Sequence, residues 1–460
     1  MTNPIHFTTA EEAVKVIKSG DHVHLSSVAS APQCLINAMC KRGEAGELKD
    51  VHVHHLHTEG PAPYADPKFE GVFQLDSFFV GANVRKVTQS GYADYIPIFL
   101  SETQRLYRCG AVPCNVAMIQ VCPPDKHGFV SLGTSVDATL AAVECADYVI
   151  AVVNKYVPRA FGQAMIHSSK IDFFVQDDTP LIEAKFSEPN EVETAIGKHC
   201  AALIEDGATL QMGIGAIPNA VLSQLGGHKN LGIHTEMFAD GVLPLVEKGV
   251  INGEAKKTDP GKMVSTFLMG SKAVYDFIDD NPGVLMMDVG YTNDPYIISQ
   301  NDRFVAINSA LQVDITGQVC ADSLGTKFYS GVGGQIDYDL RERHTSTLCT
   351  LSRITPATAR LDMTGYSVSS FSERMLTILV SPAKPAPGRV TSFTTIRSAF
   401  LRVRLPRAFS SAFSVSAANA TRICPGRLFS PSVFAMSGVG TRRTAMSAPV
   451  FLIFCEETLS

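Results

Sequence analysis

Ala208 to Leu225 reads A-T-L-Q-M-G-I-G-A-I-P-N-A-V-L-S-Q-L. Ala208 to Met212 is a short, mostly apolar run of strand length. Gly213 and Gly215 allow positive φ and let a ligand approach the backbone closely. Pro218 suits the first helical position, where its missing N–H costs nothing. Ala220 to Leu225 carries an apolar stripe at helical spacing. The segment therefore predicts a strand, a tight turn and a helix. The helix N-terminus presents N–H groups and the positive end of a dipole, which favour an anion. Alone, the turn is equally an ordinary βα connection. It is neither a dinucleotide fingerprint, since Pro218 replaces the third glycine, nor a P-loop, since no Gly-Lys-Ser/Thr follows.

Eighteen residues beyond Pro218, within H-T-E-M at His234 to Met237, the chain delivers Glu236 after an apolar segment. A carboxylate facing a backbone loop that binds oxyanions is what acyl transfer through a glutamyl intermediate requires. The segment also has an echo. Gly20 to Met39 (G-D-H-V-H-L-S-S-V-A-S-A-P-Q-C-L-I-N-A-M) repeats the order glycine, strand, small-residue loop, proline, apolar helix. L-H-T-E at Leu56 to Glu59 then matches I-H-T-E at Ile233 to Glu236. Only the second copy has the G-x-G-x-x-P turn, so the chemistry is assigned to Glu236 and Glu59 to a matching loop. Elsewhere strands and helices alternate, which implies parallel βαβ units. Predicted strands include His22 to Ser26, Val51 to Thr58 and Tyr148 to Val153. Thr9 and Glu12 form a capping-box pair before a helix through Ile17. Val116 to Val121 and Phe129 to Leu132 flank P-P-D-K-H-G as a predicted hairpin. Pro32 to Lys41, Ala138 to Ala146 and Glu191 to Ile204 are predicted helices.

Three ordered motifs, G-I-G-A-I-P, L-G-I-H-T-E-M-F-A-D-G (Leu231 to Gly241) and G-V-G-G-Q-I-D-Y (Gly331 to Tyr338), resemble the acetyl-CoA hydrolase/transferase family. D-K-H-G-F-V-S-L-G (Asp125 to Gly133) fits it too, and the nearest branch is that of the 4-hydroxybutyrate and butyryl-CoA:acetate CoA-transferases. The resemblance implies an α/β fold of two similar domains with mostly parallel sheets. The echo and the break at S-E-P-N divide the chain into an N-terminal domain, residues 1–188, and a C-terminal domain bearing the nucleophile, residues 189–338, which reads as truncated; the change of composition marks residues 339–460 as an irregular tail. The resemblance implies Glu236 as nucleophile, and Gly213, Ile214, Gly215, Ala216, Ile217, Leu311, Gly334 and Gln335 as CoA contacts. Coenzyme A is then a co-substrate, with no tightly bound cofactor. The implied activity moves CoA between short acyl-CoA and small carboxylates. An acyl-CoA hydrolase on the same scaffold, or an inactive product of a frameshifted gene, are the alternatives.

Composition bounds the rest. The net charge is −6 over 460 residues, which points to no nucleic-acid role. It divides unevenly, with −15 over residues 1–338 and +9 over residues 339–460. After Tyr338 arginine replaces lysine and the text turns to Ser, Thr, Ala and Pro, as in S-P-A-K-P-A-P-G-R-V (Ser381 to Val390). The abrupt switch, directly after a family motif, reads as a change of frame; a basic binding arm and a disordered linker are the other readings. Eleven scattered cysteines without C-x-x-C, and an N-terminus without a basic and apolar leader, predict reduced thiols and a cytoplasmic protein. No apolar run reaches the roughly 18 residues of a membrane span. A homodimer is left open.

The histidines His52, His54, His55 and His57 invite a metal reading. Alternation on a strand puts His52 and His54 on one face, and His55 and His57 on the other. Split in this way they make no site without outside help, so no metal is expected. His234, two residues before Glu236, either tunes the carboxylate or is a packed structural histidine.

Overall fold

The computed structural model describes residues 5–184, 188–314, 318–339 and 345–350, with residue 339 and the last six as backbone only. The first half is built on an eight-stranded sheet in which every pairing is parallel. Its order is Phe7–Thr8, Phe173–Gln176, Tyr148–Val153, Val116–Val121, His22–Leu25, Val51–His55, Phe73–Ser77, Ala93–Tyr95. A parallel sheet is covered on both faces. Hence Y-V-I-A-V-V at Tyr148–Val153 is apolar throughout and buried after its first residue.

The second half repeats the plan on a smaller scale. Thr209–Met212 lies between Gly232–Ile233 and Phe304–Ser309, and Thr345–Thr350 pairs with the outer side of the last strand, all in parallel. In each half one strand, His22–Leu25 or Thr209–Met212, pairs on one side with the strand that follows it and on the other with a later one. The chain thus reverses direction across the sheet between His22–Leu25 and Val116–Val121, and again between Thr209–Met212 and Phe304–Ser309. Ligands of open α/β sheets settle outside the carboxyl ends of the strands at such a reversal. The G-I-G-A-I-P turn leaves the sheet at the second one.

The halves are not independent. Phe161–Gly162, from the first, forms the edge strand beside Val284–Met286 of the second. One apolar cluster runs without a break from Val28 and Val121 to Ile217, Phe238 and Ile307. Arg108 reaches across to Asp288 at 2.9 Å, and Leu268 N–H donates to the Thr134 carbonyl at 3.0 Å. Residues up to 188 therefore also contribute to a separate three-stranded sheet, Met263–Ser265, Val284–Met286 and Phe161–Gly162, of the second half.

Several expectations need adjustment. Phe129–Ser131 does not form a hairpin with Val116–Val121; it pairs antiparallel with Met165–His167, while Val116–Val121 is enclosed by parallel neighbours. The turn itself forms, with Asp125 Oδ1 capping the N–H groups of His127 and Phe129. Thr9 caps Glu12 N–H at 3.2 Å, but the α-helix stops at Ala13 and continues as a 3₁₀ turn through Val16. The helix Glu191–Ala201 starts from a capping box between Asn190 and Glu193, ending before Ile204. The second sheet continues past Tyr338, where the irregular tail was placed, through Thr345–Thr350. The tail beyond residue 350 lies outside the described residues. Among the described residues no helix is long and apolar enough to cross a membrane.

Candidate active site

Glu236 is presented by a short, strongly fixed turn. Gly232–Ile233 pairs with Thr209–Met212 for only two residues. Beyond it, the Thr235 hydroxyl takes over the ladder, lying 3.1 Å from Met212 N and 3.0 Å from Met212 O. The buried Lys256 ammonium donates to the Ile233 carbonyl at 2.9 Å. The Glu236 carbonyl accepts from Thr266 N–H, Phe267 N–H and the Ser265 hydroxyl at 3.0–3.1 Å. With its backbone held on both sides, Glu236 projects its carboxyl from the carboxyl end of the sheet.

The carboxyl is half-buried and enclosed by protein atoms. Asn293 Nδ2 donates to Glu236 Oε2 at 3.2 Å and to Asp337 Oδ2 at 3.1 Å. Asp337 is fixed in turn by the Ser101 N–H and hydroxyl at 3.0 and 2.7 Å. Gly334 lies against the carboxylate so closely that any Cβ there would fall on Glu236 Oε2 and Asn293 Nδ2. Desolvation pushes the Glu236 carboxyl up to about 7, the Asn293 hydrogen bond opposing this and the Asp337 charge adding to it. A carboxylate that water solvates poorly is a better nucleophile than one in bulk solvent.

The glycine turn adjoins this carboxyl through the sheet. Gly213 follows Met212 directly, and Glu236 follows Thr235, the residue bonded to Met212. Gly215 adopts φ 116°, ψ −175°, and the helix Ala216–Gln224 starts at the next residue. Pro218 is therefore third in the helix rather than first, and still within the first turn, where no N–H has an intrahelical partner. Gly213 does not offer its N–H to a ligand, because it donates to the Ile307 carbonyl at 3.0 Å. The first-turn N–H groups of Ala216 and Ile217, with Gly215 beside them, form the anion-facing end of the turn. Leu311 follows the carboxyl end of Phe304–Ser309 and donates its N–H to Cys320 O at 2.8 Å. Gln335 opens the short helix Gln335–Asp339, next to Gly334. Of the expected set, Gly334 is the residue placed directly against Glu236; Gly213 to Ile217 follow the neighbouring strand.

The first half closes the opposite side. The Gly333 carbonyl accepts Leu100 N–H at 3.0 Å, Val332 N–H donates to the Tyr95 hydroxyl at 2.9 Å, and Gly331 packs on Phe79. Phe79 stacks on His57, whose Nε2 lies 3.1 Å from Glu59 Oε1. Glu59 is thus held by His57 in the matching loop.

His234 is a structural histidine. It is fully buried, its Nε2–H donates to Thr292 O at 2.8 Å, and burial pushes its pKa down to about 3. It fixes the residue before Asn293 and makes no hydrogen bond to Glu236. Asn293 and Ser101 were absent from the sequence reading. Asn293 lies in the turn T-N-D-P with no spacing to mark it; Asp337 lay inside the quoted G-V-G-G-Q-I-D-Y. His52 and His54 share a sheet face as expected, but the face also holds His22 and Asp76 from the adjoining strands.

The model of the acetyl-CoA hydrolase/transferase N-terminal domain matches residues 4–183, and that of the C-terminal domain matches residues 270–359. Glu236 and the glycine turn lie between the two stretches. The chain is similar to a succinyl-CoA:acetate/propanoyl-CoA:succinate CoA transferase of Fasciola hepatica, 48% identical over 72% of this chain and 69% of that one. It is 46% identical to a 4-hydroxybutyrate coenzyme A transferase of Clostridium kluyveri, over 72% of this chain and 76% of the other. An acetyl-CoA hydrolase of Neurospora crassa is more distant, 25% identical over 49% of this chain. Among solved structures, a 4-hydroxybutyrate CoA-transferase from Porphyromonas gingivalis superposes with TM-score 0.61 at 39% identity, over 68% of this chain and 75% of that one. RipA from Yersinia pestis superposes with TM-score 0.69 at 32% identity, over 76% and 83%. With such identities over more than two thirds of its relatives' length, the chain belongs to the acetyl-CoA hydrolase/transferase family.

Proposed function

We propose that this chain is a CoA-transferase that exchanges CoA between a short-chain acyl-CoA and a carboxylate such as acetate, through a thioester on Glu236. The observation that carries the reading is the Glu236 carboxyl, desolvated yet held by the Asn293 amide, against a Gly334 that leaves no room for a side chain, next to the strand that leads into the glycine turn. Acetyl-, butyryl-, 4-hydroxybutyryl- and succinyl-CoA are the candidate donors, from the relatives' own activities.

The reaction proceeds by two kinds of acyl exchange. The Glu236 carboxylate attacks the thioester carbonyl, and the C–S bond breaks to give a mixed anhydride and CoA thiolate. The thiolate attacks the glutamyl carbonyl of the anhydride, releasing the donor's carboxylate and leaving glutamyl-CoA. The acceptor carboxylate then runs the same steps in reverse. Each tetrahedral oxyanion is stabilised by backbone N–H groups of Gly215 to Ile217 and by Asn293 Nδ2; losing one such donor typically costs about 10²–10³ in rate. Gly213, Ile214, Leu311, Gly334 and Gln335 line the path of CoA. Closure of the first half over the carboxyl keeps water from the anhydride, which separates transfer from hydrolysis.

The test is initial-rate kinetics with butyryl-CoA and acetate. Parallel double-reciprocal lines, with no CoA set free when acetate is omitted, are expected. Release of free CoA at the same rate without acetate contradicts a transferase and favours a hydrolase.

A further inference from the structure

The face of the first sheet around His22, His54 and Asp76 is unused by the chemistry above. The three residues come from adjacent parallel strands, His22–Leu25, Val51–His55 and Phe73–Ser77. His54 stands directly beside Asp76 in register, and His22 lies one row back. One ligand atom from each lies within 4.8 Å of the others. His22 Nδ1 is 2.9 Å from His54 Nε2, and His54 Nε2 is 3.9 Å from Asp76 Oδ2. Donors on a tetrahedral zinc ion with bonds of about 2.0–2.1 Å stand about 3.3 Å apart, between those two distances.

The proton inventory decides what the cluster can bind. Asp137, fully buried, collects the Thr139 N–H and the hydroxyl protons of Thr139 and Ser135. With its proton committed there, Thr139 Oγ1 accepts from His24 Nε2–H at 3.1 Å. His24 Nδ1 is then a lone pair and accepts the Tyr107 hydroxyl proton at 3.0 Å. The Tyr107 oxygen accepts from His54 Nδ1–H, also at 3.0 Å. His54 Nε2 is left as a lone pair, which accepts the His22 Nδ1–H at 2.9 Å and lies 3.9 Å from Asp76 Oδ2. One ligand atom each of His22, His54 and Asp76 thus converges on one place, and moving the His22 proton from Nδ1 to Nε2 frees all three for a cation. The outer contacts are those of a metal centre: a ligand imidazole oriented by its second nitrogen, and a ligand carboxylate oriented by His52 Nδ1 at 2.8 Å. The His52 side chain is 29% exposed, and that of Asp76 13%, which leaves a route from solvent.

We propose that His22 Nδ1, His54 Nε2 and Asp76 form a zinc-class divalent metal site that clips three strands of the first sheet together. Two imidazoles and one carboxylate suit a borderline ion such as Zn²⁺ and not Mg²⁺, which demands six oxygens. On binding, the ion displaces the His22 proton from Nδ1 to Nε2, and a water completes the tetrahedron. The site is separate from Glu236 and does not depend on the transferase reading.

The experiment uses the full chain, stripped with a chelator and dialysed against Zn²⁺ or Mg²⁺, with bound metal measured by plasma mass spectrometry and melting followed in parallel. Asp76→Asn keeps the side-chain volume, and His22→Gln alters a residue with partial solvent access; circular dichroism verifies that each folds. About one zinc ion per chain is expected in the unaltered protein, weakened at least ~100-fold in both variants. Zinc should raise the melting temperature of the unaltered protein alone, and Mg²⁺ should bind to none. Absence of zinc from the unaltered protein, or equal zinc in the unaltered protein and a folded variant, overturns the proposal.

Discussion

A carboxyl wedged between an amide N–H and a glycine Cα ionises against its surroundings, and the sign of that shift can be worked through. The Glu236 pKa is lifted from 4.5 to about 7, mainly by desolvation. The nucleophile is the ionised form, so kcat/KM for acyl-CoA should rise with pH through about 7. The Asn293 hydrogen bond favours ionisation, so Asn293→Ala should move that limb to higher pH and lower kcat about 10–10² fold; a pH profile of the variant reads both. For stability the shift acts in reverse. The folded state holds its proton longer than the unfolded one, so the carboxyl's contribution to stability is full below 4.5 and is lost as pH rises through about 7. Glu236→Gln should therefore unfold at higher denaturant than the parent at pH 8, by on the order of 1 kcal/mol, and not at pH 5. Gly334→Ala places a methyl on the carboxylate; the expected loss is at least about 10²-fold in kcat, measured on protein whose folding is confirmed by circular dichroism. Glu236 was legible in the sequence because H-T-E-M occurs in order with two glycine motifs. Asn293 was not, because its role depends on a contact 57 positions away in the chain that no local pattern encodes.

At the scale of the element, the G-I-G-A-I-P turn shows what local pattern can fix. Strand, glycines and helix fall where apolar spacing and turn chemistry place them, to within two residues. Gly215 at φ 116° lies where an L side chain is strained; alanine there costs on the order of 1–3 kcal/mol or moves the first helical turn. Gly215→Ala should thus raise KM for acyl-CoA and lower kcat together, whereas Gly227→Ala, which meets open space, should change neither. The hairpin expected around P-P-D-K-H-G failed for a reason of the same scale. Turn residues predict the reversal of the chain, but the partner of each strand is chosen by the whole sheet, and Val116–Val121 is claimed on both sides by parallel neighbours.

The whole molecule behaves as two copies of one plan fused through a shared core. The echo of Gly20 to Met39 in Gly207 to Leu225 pointed to two similar units, and His22–Leu25 and Thr209–Met212 both lie at a reversal of their sheet. The fusion was not legible, because an edge strand as short as Phe161–Gly162 carries no periodicity. A continuous core should give one cooperative unfolding transition for residues of both halves. Arg108→Ala strands the nearly buried Asp288 carboxylate without its partner across the seam; the expected loss is about 1–3 kcal/mol, read from chemical denaturation. The charge break after Tyr338 is a property of the text rather than of the sheet, which runs to Thr350; the family's C-terminal domain reaches residue 359.

The decisive observation is chemical. The protein is incubated with butyryl-CoA in the absence of an acceptor, digested and mapped by mass spectrometry. A CoA thioester on the peptide bearing Glu236, discharged by added acetate and absent from Glu236→Gln, is the result expected. Transfer of CoA to acetate with no adduct at Glu236, or with the adduct on another residue such as Glu59, would contradict it.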